Sequence, residues 1–400
     1  MKRTFYISSF IIIAVAALAT CRKPFMPDVA DTNLNVLVVE GVINNGLDST
    51  IIKLTRSMEL DYRLPSYSLT TYIPDKTTIK PELNATVTVE DEQGAIYTLT
   101  GLGKGKYGAP AAVLNASKKY HLKIVTSAGV VYTSNAEEVK DAPPIDTLSY
   151  RIGSGLSFYA NTHDGTNKTK YYRWEYEEAW RFRMPIRSMF VTDGRQIIPR
   201  PYSVEFCFGH NNSVNIMLAS TVKQTNDIIL EQPITTVASN EEKLTIRYSI
   251  LVKQYALSQA AYEFWDNMRR NTENLGGIFD QQPSAPVSNI RCVTDPALPA
   301  LGFVSVGAVR TKRIYINKIQ LPSSWQYRNP NTCGTSARYI YDLRTKTNSV
   351  EQDLVPYGSF DVPVDTLSDG LKVIGYSATS IFCADCTTKG VVTRPYFWRD

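Results

Sequence analysis

The stretch Thr169–Met184, TKYYRWEYEEAWRFRM, decides the fold class. Successive side chains of a β-strand point to opposite faces. On that reading one face collects Tyr172, Trp174, Tyr176, Glu178, Trp180, Phe182 and Met184, and the other collects Arg173, Glu175, Glu177, Arg181 and Arg183. The pattern predicts a long strand, apolar on one side and laced with opposite charges on the other. Glu178 is the exception, a carboxylate on the aromatic face. A buried carboxylate must be paired or hydrogen-bonded. It is therefore either a ligand-contacting acid, with Trp174 and Trp180 as neighbouring ligand contacts, or a structural acid meeting an Arg or backbone amides.

Working outward, Leu244–Gln254 (LTIRYSILVKQ) reads as a second long strand. Ser258–Asn274 reads as the one clear helix, with Ser258 as cap and Tyr262, Trp265, Met268, Thr272 and Leu275 at helical spacing. Gly276-Gly277 ends it. Strands are expected over Val287–Ile290, Ala300–Gly307 and Lys312–Ile319, and Pro322–Asp361 reads as loop-rich. Towards the N-terminus, short alternating runs punctuated by turns occupy Asn35–Asn44, Asp48–Arg56, Asn84–Glu90, Ala95–Thr100, Tyr120–Thr126 and Val130–Ser134. This spacing fits an immunoglobulin-like sandwich. Tyr120, in LNASKKYHLKI, is the candidate for a tyrosine corner. Gly101, Gly103 and Gly105 are followed by no helix pattern, so they mark a hairpin turn rather than a dinucleotide fingerprint. The expected architecture is mainly β: an immunoglobulin-like β-sandwich over residues 35–144, then a larger β-rich domain over 145–400 with one main α-helix.

The 400 residues carry 43 basic and 38 acidic side chains, interleaved and without a block of five like charges, so nothing points to nucleic acid. At 43% hydrophobic and 20% charged, the composition is that of a globular protein and excludes wholesale disorder and a multi-span membrane protein. The N-terminus is different. Lys2 and Arg3 precede an apolar run, Tyr6–Ala17, which is too short to cross a bilayer at about 20 residues. It closes on Leu18-Ala19-Thr20-Cys21, which resembles a bacterial lipobox in which Cys21 is acylated. Thr20 departs from the usual small residue at that place. Residues 1–20 are thus expected to be a lipoprotein signal peptide and 21–34 a tether. One acyl chain, at about 0.8 kcal/mol per buried methylene, anchors only weakly, whereas several anchor stably. Arg22 stands where an Asp would signal inner-membrane retention, which favours the outer membrane.

An exported chain meets an oxidising compartment, where disulfides persist. With Cys21 acylated, Cys207, Cys292, Cys333, Cys383 and Cys386 remain, enough for at most two bridges and one spare thiol. Cys383-x-x-Cys386 lacks the βαβ setting of a redox motif and the second pair that zinc needs. A disulfide from this tail to Cys333 or Cys292 is the expectation. His121, His163 and His210 are the only histidines, and none has a partner at i+4, which argues against zincin and His-based nucleophilic chemistry. No cofactor or metal site is expected. Glu175 and Glu177 share a strand face about 6–7 Å apart, a spacing compatible with a glycosidase, although Arg173 and Arg181 on that face neutralise them more simply.

Several motifs then combine. They are the lipobox followed by Leu37–Ile43 (LVVEGVI), Gly105-Lys106-Tyr107, Pro144-Ile145-Asp146, Tyr171–Glu178, Tyr248–Trp265, Gln282-Pro283 to Ile290, Cys383–Cys386 and Pro395–Trp398. Together they resemble the Bacteroidota lipoprotein family catalogued as domain of unknown function 4249. The resemblance implies an exported outer-membrane lipoprotein of a kind often encoded beside TonB-dependent receptors, which makes such a receptor the expected partner, and it transfers no active site. The leading expectation is a non-enzymatic accessory or binding component, lipid-anchored through Cys21, on either the periplasmic or the cell-surface face. The competing classes are a surface carbohydrate-active enzyme using Glu175, Glu177 or Glu178, and a structural envelope protein.

Overall fold

In the computed structural model, which describes residues 35–46, 48–57, 80–273, 286–341, 343–344 and 346–399, the chain is mainly β with one long helix. The leader, Cys21 and the tether lie outside the described residues, as do Leu275 and Gly276-Gly277.

The first sheet uses the alternating runs of the N-terminal region. Leu37–Ile43 pairs with Thr50–Arg56, which pairs with Lys106–Ala109; Ile96–Gly103 then links that half to Thr86–Asp91, Lys119–Val125 and Val131–Ser134. Inward residues of both halves, Leu37, Ile52 and Leu54 from one and Val87, Leu122, Ile124 and Tyr132 from the other, share one core. The sheet therefore closes over itself as a sandwich. Tyr120 is buried, and its hydroxyl accepts from the Asn115 amide at 2.8 Å, which is the tyrosine-corner contact. Gly105 closes the Gly103–Lys106 turn with φ +74, where a Cβ would meet the Leu54 carbonyl oxygen at 2.3 Å.

Strands from far along the chain join this sheet. Ala300–Gly302 lies parallel to Leu37–Val39, and Ile290–Cys292 pairs with Tyr132–Ser134. The first sheet thus draws strands from both sides of residue 144. Gly302, opposite Val39, has φ +146, and a Cβ there would stand 2.2 Å from the Val39 carbonyl oxygen. Gly302→Ala should cost about 1–3 kcal/mol, as overpacking does. An unchanged urea midpoint would contradict this parallel contact.

A second pair of sheets follows. Ile145–Ile152, Gly155–His163 and Ile228–Ala238 form three antiparallel strands. They pack on a five-stranded sheet whose central strand, Tyr171–Arg183, is the one the alternation predicts. Tyr172, Trp174, Tyr248, Ile250 and Val252 of the larger sheet meet Leu156, Phe158, Ile234 and Val237 of the smaller. At its Tyr172–Trp174 end the aromatic face of the long strand is therefore a core between two sheets, and at its other end Phe182 and Met184 form a second core with Val204, Cys207 and Cys386.

The helix runs Gln259–Glu273, with the Ser258 hydroxyl accepting from the Ala261 amide. Ala261 and Phe264 face its core, with Tyr262, Trp265 and Met268 partly buried beside them and Thr272 exposed. Its buried stripe is thus centred one position away from the expected one. The region 322–361 contains a strand, Ser336–Tyr339, and a short helix, Ser349–Asp353. The strand completes a small sheet with the hairpin Asp361–Asp369 and Lys372–Ser380.

Candidate functional site

The sequence singles out Trp174, Glu178 and Trp180 on one strand face. Trp174 is fully buried and donates its indole N–H to Gln254 Oε1 at 2.9 Å. Gln254 in turn donates to the Pro143 carbonyl and to Thr162 Oγ1, so the amide is consumed within the core. Trp180 is half-buried and lies flat against Gly209 of the neighbouring strand, where a Cβ would stand 2.3 Å from the ring.

Glu178 is 3% exposed. Tyr248 Oη donates to it at 2.6 Å, Lys243 Nζ at 2.8 Å and Asn211 Nδ2 at 3.4 Å. The carboxylate is met by a lysine, a phenol and an amide rather than by an Arg or backbone amides, a fully partnered arrangement of the kind the structural reading calls for. Burial, then the Glu178 carboxylate itself, hold the Tyr248 hydroxyl well above the ordinary tyrosine range. Tyr248 is thus a permanent donor to Glu178.

The opposite face of the strand is covered at one end by the helix. The Arg173 guanidinium lies over the rings of Trp265 at 4.1 Å and Tyr255 at 4.4 Å and bonds Glu175 at 2.6 Å. Tyr255 Oη also donates to Glu175 at 2.7 Å. Burial opposes the charge on Glu175, but the Arg173 charge and the Tyr255 bond outweigh it and leave the carboxyl below its ordinary range. Glu177 pairs with Lys253. Arg181, expected to neutralise these acids, instead stacks on Phe206 and stands directly opposite Arg247 in the register.

The cysteine arithmetic resolves as two bridges and one thiol. Cys333–Cys383 matches the expected tail disulfide. Cys386 pairs with Cys207 rather than with Cys333 or Cys292, and Cys292 is a buried free thiol. Cys292 sits on a strand of the first sheet opposite Tyr132, unbridged among the described cysteines. Cys207 escapes sequence reasoning because 179 residues separate it from its partner.

The three histidines do not converge. His121 stands 3.5 Å from Glu90, while exposed His163 is 2.8 Å from Asp146 Oδ2, and that bond and charge raise its pKa. The His163 pair favours the fold fully below the ordinary imidazole range, and the contribution is lost as pH rises through the raised value. An NMR titration should place the His163 midpoint above 6.5; a midpoint below it contradicts the pair. Among the described residues no three His, Cys, Asp or Glu side chains gather as a metal-ligand set.

A family model described as Domain of unknown function (DUF4249) matches residues 22–313. No curated protein matches the chain.

Proposed function

The chain belongs to the DUF4249 family, and from that premise we propose that it is an exported, lipid-anchored outer-membrane protein that acts as a non-enzymatic binding or accessory component beside a TonB-dependent transporter. The observation that carries the binding reading over the glycosidase reading is the state of the three strand carboxylates. Glu175 is spent on Arg173 and Tyr255, Glu177 on Lys253, and Glu178 on Lys243, Tyr248 and Asn211. A glycosidase needs one acid free to protonate a leaving group and a second free to attack or to activate water. Here each would first have to abandon an ion pair.

The anchor reading rests on the leader and Cys21. Cys21→Ser should give an unacylated precursor that no longer partitions with the outer membrane after fractionation. Unchanged attachment in that fractionation would sink it. The partnership is tested by gentle-detergent purification of the tagged full chain: a co-purifying transporter supports it, and its consistent absence counts against it.

A further inference from the structure

The five-stranded sheet ends on the strand Arg310–Asn317, and the chain's last described residues fold back over that edge. Between them lies a cleft of about 560 Å³, within the size range of small-ligand sites. Arg313 and Tyr315 line the sheet side, and the consecutive residues Tyr396, Phe397, Trp398 and Arg399 line the other. Thr311 and Lys312 complete the wall, and among the described residues no acidic side chain belongs to it.

The donors of this cleft are under-used. The Arg313 guanidinium is clamped 3.7 Å over the Phe397 ring. It spends one bond, to Ser249 Oγ at 3.0 Å, out of the five N–H donors an arginine offers. It has no carboxylate partner in the ion-pair network of the described residues. Arg399 is exposed, with no bond or ion pair among them. Trp398 is 4% exposed and packed edge-on against Phe208 and Tyr315, so it contributes an apolar wall rather than a donor. Lys312 is different, because its ammonium is held by the Ile145 and Asp146 carbonyls and so contributes wall rather than free charge. Tyr396, at 99% exposure, presents a whole aromatic face to solvent at the mouth.

We propose that this cleft binds an anionic saccharide, a sugar acid or sulfated sugar of two or three rings. A planar, aromatic-stacked guanidinium without a carboxylate partner is pre-organised for a carboxylate or sulfate, which it grips bidentately. The exposed aromatic face of Tyr396 suits the apolar C–H face of a pyranose ring. A bare inorganic anion would use the guanidinium and leave that ring idle, and a neutral sugar would leave Arg313 and Arg399 without an anionic partner. The proposal deepens the binding reading above by naming a ligand class, yet it is tested separately from the transporter.

The test is calorimetric titration of the detergent-solubilised full chain with trigalacturonate, its methyl ester, a sulfated heparin disaccharide and inorganic sulfate. Saturable binding of at least one acidic saccharide, tenfold or more tighter than the neutral ester, is expected. Arg313→Gln should weaken it at least tenfold. Tyr396→Ala and Arg399→Gln, both at exposed positions, should weaken it at least threefold without moving the thermal midpoint. Equal binding of the methyl ester, displacement by equimolar sulfate, or no binding of either acidic saccharide overturns the proposal. A co-purifying transporter with no saccharide binding sinks the ligand class alone; saccharide binding with no transporter sinks the partnership alone.

Discussion

Cys386→Ser should lower the stability of the folded chain by about 2–5 kcal/mol, the range for losing a native disulfide. The bridge to Cys207 closes 179 residues, against 50 for Cys333–Cys383, and closure entropy grows slowly with loop length. The bridge also sits in a small core with Phe182, Met184 and Val204, so the loss of packing adds to the entropic term. Its effect reaches further than the global midpoint. Just beyond Cys386, Val391 exchanges two backbone hydrogen bonds with Phe208, at 2.8 and 3.0 Å. Past that, Trp398 packs on Phe208 and Phe397 meets Arg313. Cutting the bridge loosens the tail that roofs the cleft, so acidic-saccharide affinity should fall with stability. Cys333→Ser unties the small sheet Ser336–Tyr339 with its hairpin and should lower stability while leaving the cleft residues in place. Cys292→Ala, outside both bridges, is the control. Urea midpoints with and without reductant measure the effect. A fully reduced chain that unfolds at the oxidised midpoint would remove the disulfides from the account of stability.

What the sequence reveals here follows from periodicity, and what it hides follows from distance along the chain. The long strand is legible because its two faces alternate, and its burial follows in large part: Tyr172, Trp174, Glu178, Phe182 and Met184 are buried, while Tyr176 and Trp180 of that face are half-buried and Arg173 of the other face is buried. The helix is legible from Ser258 and its stripe, although the face is displaced because Phe264 packs on Phe303, a residue from the far side of the Pro-rich turn. The partners of Glu178 are not legible. Lys243 lies 65 residues away and Tyr248 lies 70, and neither stands out in a run of ordinary strand residues. The strands that enter the first sheet from residues 290–306 are two or three residues long, too short for alternation to assign them to one sheet over another. The cleft is hidden for the same reason: Arg313 and Phe397 are 84 positions apart, and only the return of the tail puts one over the other.

Replacing Glu178 by leucine should cost about 3–5 kcal/mol, because it leaves a half-buried ammonium and a buried phenol without this acceptor. Glu178→Gln keeps the shape and an acceptor for Tyr248, and should cost about 1–3 kcal/mol. The Lys243 side chain is 19% exposed, so water recovers part of what the lysine loses. Glu178→Leu combined with Lys243→Met should recover much of the loss, since replacing a buried pair by apolar groups is often close to neutral. Tyr248→Phe removes one donor from Glu178 while Lys243 remains, so it should cost less than Glu178→Leu. The pH dependence has a definite sign. The phenol holds its proton above the ordinary tyrosine value. That preference favours the fold fully below about pH 10, the ordinary phenol value, and is lost as pH rises through the folded-state value. Tyr248→Phe should therefore flatten the alkaline decline of the unfolding free energy. These outcomes separate the two readings of Glu178. If it is structural, Glu178→Gln lowers the urea midpoint and, once folded, leaves acidic-saccharide affinity within twofold of the parent. If Glu178→Gln unfolds at the parental midpoint yet abolishes hydrolysis of a glycan, the carboxylate is catalytic and the bonds from Lys243 and Tyr248 serve to orient it.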